Sequence, residues 1–167
     1  KISLAASKGN NALDWNTLNE GTPLFTSTEG EQGLRDPFIM RSHDGDTFYM
    51  LATDLKISGR KGSFSAAQYN GSLYIEVWES NDLVNWTNQR HIKVSDDSAG
   101  NTWAPEAYWD DELGEYVVYW ASNLYDNDDS STRTSPSYNR MMYVTTPDFI
   151  TFSKPKTWID VDRRGQA

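Results

Sequence analysis

Two segments of the chain are similar to each other at a spacing of 68 residues. Asp36–Arg41 and Ala104–Trp109 share a proline at the second position and continue as mostly apolar or aromatic sequence. Each segment runs through an acidic turn into an apolar-aromatic stretch, Phe48–Thr53 in the first copy and Tyr116–Ser122 in the second. This succession of strand, polar turn with a glycine, and strand is typical of a β-hairpin.

A second element repeats after each hairpin. Ser80–Trp86 matches Thr146–Phe152 at a spacing of 66 residues, and a third copy leads from Ser7 through Leu13 to Trp15. The three copies follow strand candidates at Ile2–Ala6, Ser72–Glu79 and Arg140–Thr145. The sequence therefore predicts a repeating unit of three or four antiparallel strands in about 68 residues, with no helical periodicity of any length.

A repeating unit of this size and turn chemistry favours a β-propeller blade over a sandwich, which does not repeat so long a unit. The 167 residues give roughly 2.5 units, whereas a propeller needs about four to eight blades to close. We therefore predict an all-β fold in which this chain supplies the first two to two-and-a-half blades of a propeller. The remaining blades are expected from further sequence or from another chain.

Composition narrows the function classes. A formal net charge of -9 argues against nucleic-acid binding, no apolar run approaches the length of a membrane span, and the chain has no cysteine. Seven Trp and nine Tyr suit β-strands, and their ring faces also suit sugars. We expect a secreted or periplasmic bacterial protein, although no signal peptide is recognisable in this chain.

Five motifs occur in order and at blade spacing along nearly the whole chain. They are Gly33–Ile39, Tyr49–Leu55, Ser80–Trp86, Trp103–Ala107 and Tyr119–Ser122. Together they make the chain similar to glycoside hydrolase family 43, and to its arabinofuranosidase- and xylosidase-type members in particular. The resemblance implies a five-bladed propeller. Residues 1–30 would be a closing strand and lead-in, 31–95 the first blade, 96–160 the second, and 161–167 the start of a third.

The resemblance implies inverting glycoside hydrolysis, in which one carboxylate activates water and a carboxylic acid protonates the leaving oxygen. Asp36 matches the general base of the family. Pro37 biases the preceding residue towards an extended conformation, which would aim the Asp36 carboxylate into the central funnel, and Arg35 would help to keep it ionised. Read without the resemblance, an Asp-Pro pair is a common turn or strand-entry sequence.

Four other positions are candidate substrate-binding residues beside Arg35. Glu106 occupies the equivalent place in the second blade, where a carboxylate would face the pocket or satisfy backbone donors between blades. Trp103 is a candidate platform for a pentose ring or a packing residue between blades. Asp54 and Asn123 end the second strands of their blades and would support the site or cap the turns. The resemblance places the general acid, and an Asp that tunes its pKa, beyond Ala167.

The leading interpretation is an α-L-arabinofuranosidase acting on arabinose- or xylose-containing oligosaccharides of plant-type polysaccharide. Its alternatives are a β-xylosidase, a non-catalytic carbohydrate-binding propeller, and an inactive fragment of a hydrolase. No cofactor or metal is expected, although a structural or central calcium ion stays open. The run Asp126–Asp129 lacks the glycine and terminal glutamate of a calcium loop and is interpreted as part of a mobile loop over 124–139.

Overall fold

The computed structural model describes residues 1–61 and 63–162, and β-strands dominate this part of the chain. A short helix, α1 (Ser63–Tyr69), and two turns of 3-10 helix at Leu18–Gly21 and Ser130–Thr132 are the helical elements of the described residues. No helix in these ranges is long and apolar enough to cross a membrane. The strands are β1 (Ala5–Lys8), β2 (Asn11–Thr17), β3 (Leu34–Arg41), β4 (Phe48–Asp54), β5 (Tyr74–Ser80), β6 (Arg90–Lys93), β7 (Trp103–Asp110), β8 (Glu115–Asn123), β9 (Asn139–Thr146) and β10 (Lys156–Ile159).

The strands form two four-stranded antiparallel sheets and one hairpin. The first sheet has the order β3-β4-β5-β6, the second has the order β7-β8-β9-β10, and β1 pairs with β2. Each four-stranded sheet is a simple meander, which is the construction of a propeller blade. The predicted fold class is confirmed: the chain is all-β and supplies two blades, here called blade 1 and blade 2, and that the β1–β2 hairpin belongs to a further blade stays a prediction.

The turn between the third and fourth strands is built identically in both blades. Asp82 in blade 1 accepts hydrogen bonds from the N–H groups of the residues two and three positions later, and Asp148 does the same in blade 2. The residue after each aspartate has a left-handed backbone, with φ of 64° at Leu83 and 54° at Phe149. In the β1–β2 hairpin, Asn11 accepts one such bond, from the N–H of Leu13, and the next residue is not left-handed. The predicted repeat of this element is therefore complete in the two blades and partial in the copy near the N-terminus.

The main hydrophobic core lies between the two blades. Leu51 and Val77 of blade 1 pack there with Val118 and Trp120 of blade 2, and Phe149 closes the outer end. A second core covers the opposite face of blade 1, where Met50 and Trp78 pack against Ile2 and Phe25 of the N-terminal segment. Blade 1 is thus covered on both faces and blade 2 on one, because Tyr108 and Trp158 on its far face remain half exposed.

Two loops differ from the sequence prediction. The stretch between β4 and β5 contains α1, although the sequence shows no helical periodicity. The loop between β8 and β9, expected to be mobile, is held by the buried guanidinium of Arg133, which donates to the carbonyl oxygens of Asp97, Ala99 and Asn127. An anchor of this kind leaves no trace in local composition, because its partners lie far away in sequence. The predicted start of a third blade at 161–167 lies mostly outside the described residues.

Candidate active site

A backbone irregularity at the start of each blade's first strand builds the candidate site. The β3–β4 register shifts between Arg35 and Phe38, and the β7–β8 register shifts between Trp103 and Glu106. The residue inside each bulge has a left-handed backbone, with φ of 47° at Asp36 and 52° at Ala104, so the extended conformation predicted for Asp36 is wrong. Such bulges re-aim a side chain next to a functional site. The 68-residue repeat aligned Ala104 with Asp36, and the structure agrees; Glu106, two residues later, is not the structural equivalent of Asp36.

The Asp36 carboxylate is exposed and has one hydrogen-bond donor among the described residues. The hydroxyl of Thr53, on the neighbouring strand β4, donates to Asp36 Oδ2 at 3.0 Å. The same hydroxyl accepts the backbone N–H of Ala104 at 2.8 Å, and its residue is fully buried. This chain of hydrogen bonds joins the bulge of blade 1 to the bulge of blade 2. Sequence analysis did not single out Thr53.

Phe64, which the sequence prediction missed, brings Arg35 and Trp103 together at the end of the blades where the two bulges lie. The Arg35 guanidinium lies over the ring of Phe64 on α1, 5.1 Å from its centroid. Phe64 also meets Trp103 edge to face, with 6.4 Å between ring centroids. Within the described residues no ion pair joins Arg35 to Asp36. The site thus has a rim of one cation and two aromatic rings, with the half-exposed Phe64 between the others.

Glu106 is exposed and bound to a neighbour on its own blade. The hydroxyl of Tyr119 donates to Glu106 Oε2 at 2.8 Å. Burial, reinforced by this carboxylate, raises the pKa of Tyr119 to about 12. The edge of the Tyr119 ring contacts Trp158, so the pair belongs to the far face of blade 2. The role of Glu106 in substrate binding stays a prediction.

Asp54 lies on the face of blade 1 opposite to that of its neighbour Thr53, because neighbouring residues of a strand point in opposite directions. Its buried carboxylate accepts the N–H of Glu31 at 2.8 Å and 3.1 Å from its two oxygens, and burial raises its pKa. Ligand-capable atoms of Asp54, Glu76 and His91 lie within 4.8 Å of one another. However, Glu76 is already bound by His91 and Gln89. The protein's own donors therefore satisfy this cluster, which does not touch Asp36.

Asn123 is buried at the end of β8 and belongs to a network of amides. Its side-chain nitrogen donates to Asn101 and to Asn139, and its backbone N–H donates to Asn101 Oδ1. These bonds join the segment before β7 and the first residue of β9 to the end of β8. Asn123 and Asp54 thus hold loops in the described structure, and their predicted support of a sugar site stays a prediction.

The fold defines the class of architecture, because consecutive four-stranded antiparallel meanders are the construction of a β-propeller. Residues 1–166 match the glycosyl hydrolase 43-related family, described as a probable glycosyl hydrolase domain. The chain belongs to this family. The predicted resemblance to glycoside hydrolase family 43 and the predicted class of enzyme, a glycoside hydrolase, are confirmed.

Known proteins similar to the chain include one curated relative and two solved structures. An α-L-arabinofuranosidase from Bifidobacterium longum subsp. longum is 40% identical over 174 positions, which cover 96% of this chain and 16% of that protein. An N-acetylgalactosamine deacetylase from F. plautii, in complex with blood group B trisaccharide, is 16% identical with a TM-score of 0.45, covering 73% of this chain and 30% of its own. An α-L-arabinofuranosidase from Podospora anserina, in complex with cellotriose, is 16% identical with a TM-score of 0.43, covering 75% and 31%.

Proposed function

We propose that the protein containing this chain is an inverting α-L-arabinofuranosidase in which Asp36 is the general base. The observation that carries the proposal is the exposed Asp36 carboxylate, presented by a left-handed bulge and held by a buried hydroxyl. The similarity to an α-L-arabinofuranosidase supports the choice of sugar. Because the chain spans 16% of that relative's length, the activity of the whole protein is part of the proposal.

In the proposed reaction, Asp36 accepts a proton from a water molecule whose oxygen attacks the anomeric carbon. The bond from this carbon to the leaving oxygen breaks on the opposite side, and a carboxylic acid supplies a proton to that oxygen. Inversion requires the two carboxyl groups to be roughly 6.5–9.5 Å apart, which leaves room for the water. We assign the acid to a blade other than blades 1 and 2, since Glu106 is held by Tyr119 on the far face.

The rim of Arg35, Phe64 and Trp103 is the proposed contact surface for the sugar. Aromatic faces and edges pack against the apolar side of a pentose ring, while the guanidinium donates to its hydroxyl groups. Phe64 comes from the helix between β4 and β5, so that helix would shape the specificity of the pocket.

The far face of blade 2 is the proposed contact for a further blade. Tyr108, Tyr143 and Trp158 line an open cleft of about 290 Å³ there. The corresponding face of blade 1 is covered by blade 2, with Phe38 and Met40 in place of Glu106 and Tyr108. A further sheet on blade 2 would continue the same packing and bring the remaining site residues to the axis.

The test is the turnover of aryl α-L-arabinofuranosides by the natural protein and its Asp36→Asn variant. We expect a loss of about 10²- to 10⁴-fold, the usual contribution of a general base. The control is Asp14→Asn, which removes an exposed carboxylate of β2 paired with Lys8 and should leave turnover unchanged. Proton NMR of the first-formed sugar should show the β-anomer.

Three other results would contradict the proposal. Sugar binding without turnover would identify a carbohydrate-binding propeller. Preference for β-D-xylosides would identify a xylosidase. First formation of the α-anomer would exclude inversion.

A further inference from the structure

We propose that Thr53 is a positioning residue for the general base, and that its hydroxyl holds the Asp36 carboxylate in the orientation that receives the proton from water. This inference rests on the proposed function of Asp36. It concerns a residue that neither the family resemblance nor the sequence repeat singled out. Its basis is the fully buried position of Thr53 and the two hydrogen bonds of its hydroxyl.

The direction of the Thr53 hydroxyl is fixed by its neighbours. A hydroxyl has one proton to donate and can accept through its oxygen lone pairs. The Ala104 N–H occupies the oxygen from blade 2 at 2.8 Å, so the proton is free to point at Asp36 Oδ2, 3.0 Å away on blade 1. Since Thr53 has no exposed surface, bulk water does not compete for this proton. The donor is therefore preorganised towards the carboxylate before substrate arrives.

The matching positions of blade 2 show that the bulge also forms where the carboxylate and the hydroxyl are both absent. Arg35 pairs with Thr53 in blade 1, and Trp103 pairs with Ala121 at the matching position of blade 2. Ala104 follows Trp103 with the same left-handed φ as Asp36. Carboxylate and hydroxyl are thus both present in blade 1, and both positions are alanine in blade 2. A blade therefore forms its own bulge without either group, so the bulge does not require the hydroxyl, whose bond to the Ala104 N–H joins the two blades.

Oδ2 of the Asp36 carboxylate accepts the Thr53 hydroxyl, and the other carboxylate oxygen stays available to the attacking water. A carboxylate at an exposed bulge could otherwise turn about its side-chain bonds. Fixing one oxygen reduces the rotation that must be lost on the way to the transition state, where small misplacements of a catalytic group are costly. The expected signature is a lower kcat with an unchanged KM, because the hydroxyl is buried behind the base and does not face the sugar.

The experiment compares Thr53→Val, Thr53→Ser and Asp36→Asn in the natural protein, with turnover of an aryl α-L-arabinofuranoside as the assay. Thr53→Val should lower kcat about 10- to 100-fold at unchanged KM. Thr53→Ser keeps the hydroxyl and should restore most of the rate. The matched control is Thr146→Val, which removes another fully buried threonine hydroxyl, one that accepts the Phe149 N–H far from the site. It should leave kcat unchanged.

A second measurement separates positioning from folding. In an Asp36→Ala background supplied with azide, the attacking nucleophile needs no base, so adding Thr53→Val should not change the azide-dependent rate. If Thr53→Val lowers this rate as much as it lowers the wild-type rate, or Thr53→Ser fails to restore activity, the positioning role is wrong while Asp36 stands. If Asp36→Asn keeps full activity, the proposed function itself is wrong, whatever Thr53 does.

Discussion

Blades 1 and 2 have the same backbone and different chemistry. Both are four-stranded meanders, both open with a bulge that contains a left-handed residue, and both close with an aspartate-capped turn. Only blade 1 places a carboxylate and a hydroxyl at the bulge, where blade 2 has Ala104 and Ala121. The left-handed conformation at Asp36 is therefore a property of the blade. The catalytic potential of the site comes from two side-chain choices on a repeated scaffold.

The blades also differ in what covers them. Blade 1 packs against blade 2 on one face and against the N-terminal segment on the other, whereas blade 2 has one packed face. Substitutions in the shared core should consequently affect both blades. Substitutions in turns and loops should test one blade against the other.

Trp120→Ala should have the largest effect on stability. Trp120 has no exposed surface in the core between the blades, and its indole N–H donates to Ser122. Loss of a buried Trp side chain costs about 3–5 kcal/mol. Denaturant unfolding should show this loss, while the exposed Val84→Ala should stay within about 0.5 kcal/mol of wild type. Equal effects of the two variants would show that the blades do not share this core.

Arg133→Lys should cost more stability than Arg60→Lys. Each arginine anchors the loop between the second and third strands of its blade, but Arg133 is buried and Arg60 is partly exposed beside Glu31. Lysine cannot reproduce the planar fork that reaches the carbonyl groups of Asp97, Ala99 and Asn127. We expect about 2 kcal/mol for Arg133→Lys. Unfolding titrations of both variants measure the difference, and a reversed order would contradict the assignment of Arg133 as the stronger anchor.

Gly30→Ala and Gly114→Ala compare a crowded glycine with an open one. Both have positive φ, 54° and 65°, so alanine is strained at either position by about 1 kcal/mol. At Gly30 the added Cβ would also lie 2.2 Å from Asp54 Oδ2, whereas at Gly114 it meets nothing within 4 Å. Gly30→Ala should therefore reduce the free energy of unfolding more. Equal losses would mean that the segment over Asp54 can move aside.

Asp82→Asn and Asp148→Asn should give the smallest effects, with that of Asp82 the larger, because the Asn85 side chain also donates to Asp82. Backbone N–H bonds, those of Asn85 and Thr151 first, hold the pKa of each aspartate below its usual range in the folded state. The resulting stability is present above the unfolded-state pKa of about 3.9 and is lost as pH falls through the folded-state value. Unfolding curves of wild type and variants should thus differ at neutral pH and converge in acid. A difference that persists in acid would contradict this origin.

The repeated elements were predictable because each is encoded locally. The second strands were expected at Phe48–Thr53 and Tyr116–Ser122, and they extend over Phe48–Asp54 and Glu115–Asn123. Their aromatic and β-branched residues, followed by Asp-containing turns, specify strands at short range. The same local signals identified the three turn copies.

The site was less predictable because long-range contacts build it. The 68-residue repeat already aligned Asp36 with Ala104, but the bulges that give both residues a left-handed backbone arise from the pairing of β3 with β4 and of β7 with β8. Thr53 acquires its importance from a backbone group of the next blade, 51 positions away. Phe64 reaches the rim through a helix that has no strong sequence signal, and Asp54 points to the opposite face from its neighbour Thr53.

Chemical rescue by azide tests the central claim most directly, namely that blade 1 alone of the two supplies the base. In the natural protein, Asp36→Ala should be inactive on an aryl α-L-arabinofuranoside in water. Azide should restore turnover and give the β-configured glycosyl azide, because this nucleophile attacks from the side of the missing base without losing a proton. Glu106→Ala in blade 2 should show no such dependence on azide. Full activity of Asp36→Ala without azide, or rescue of Glu106→Ala instead, would contradict the account.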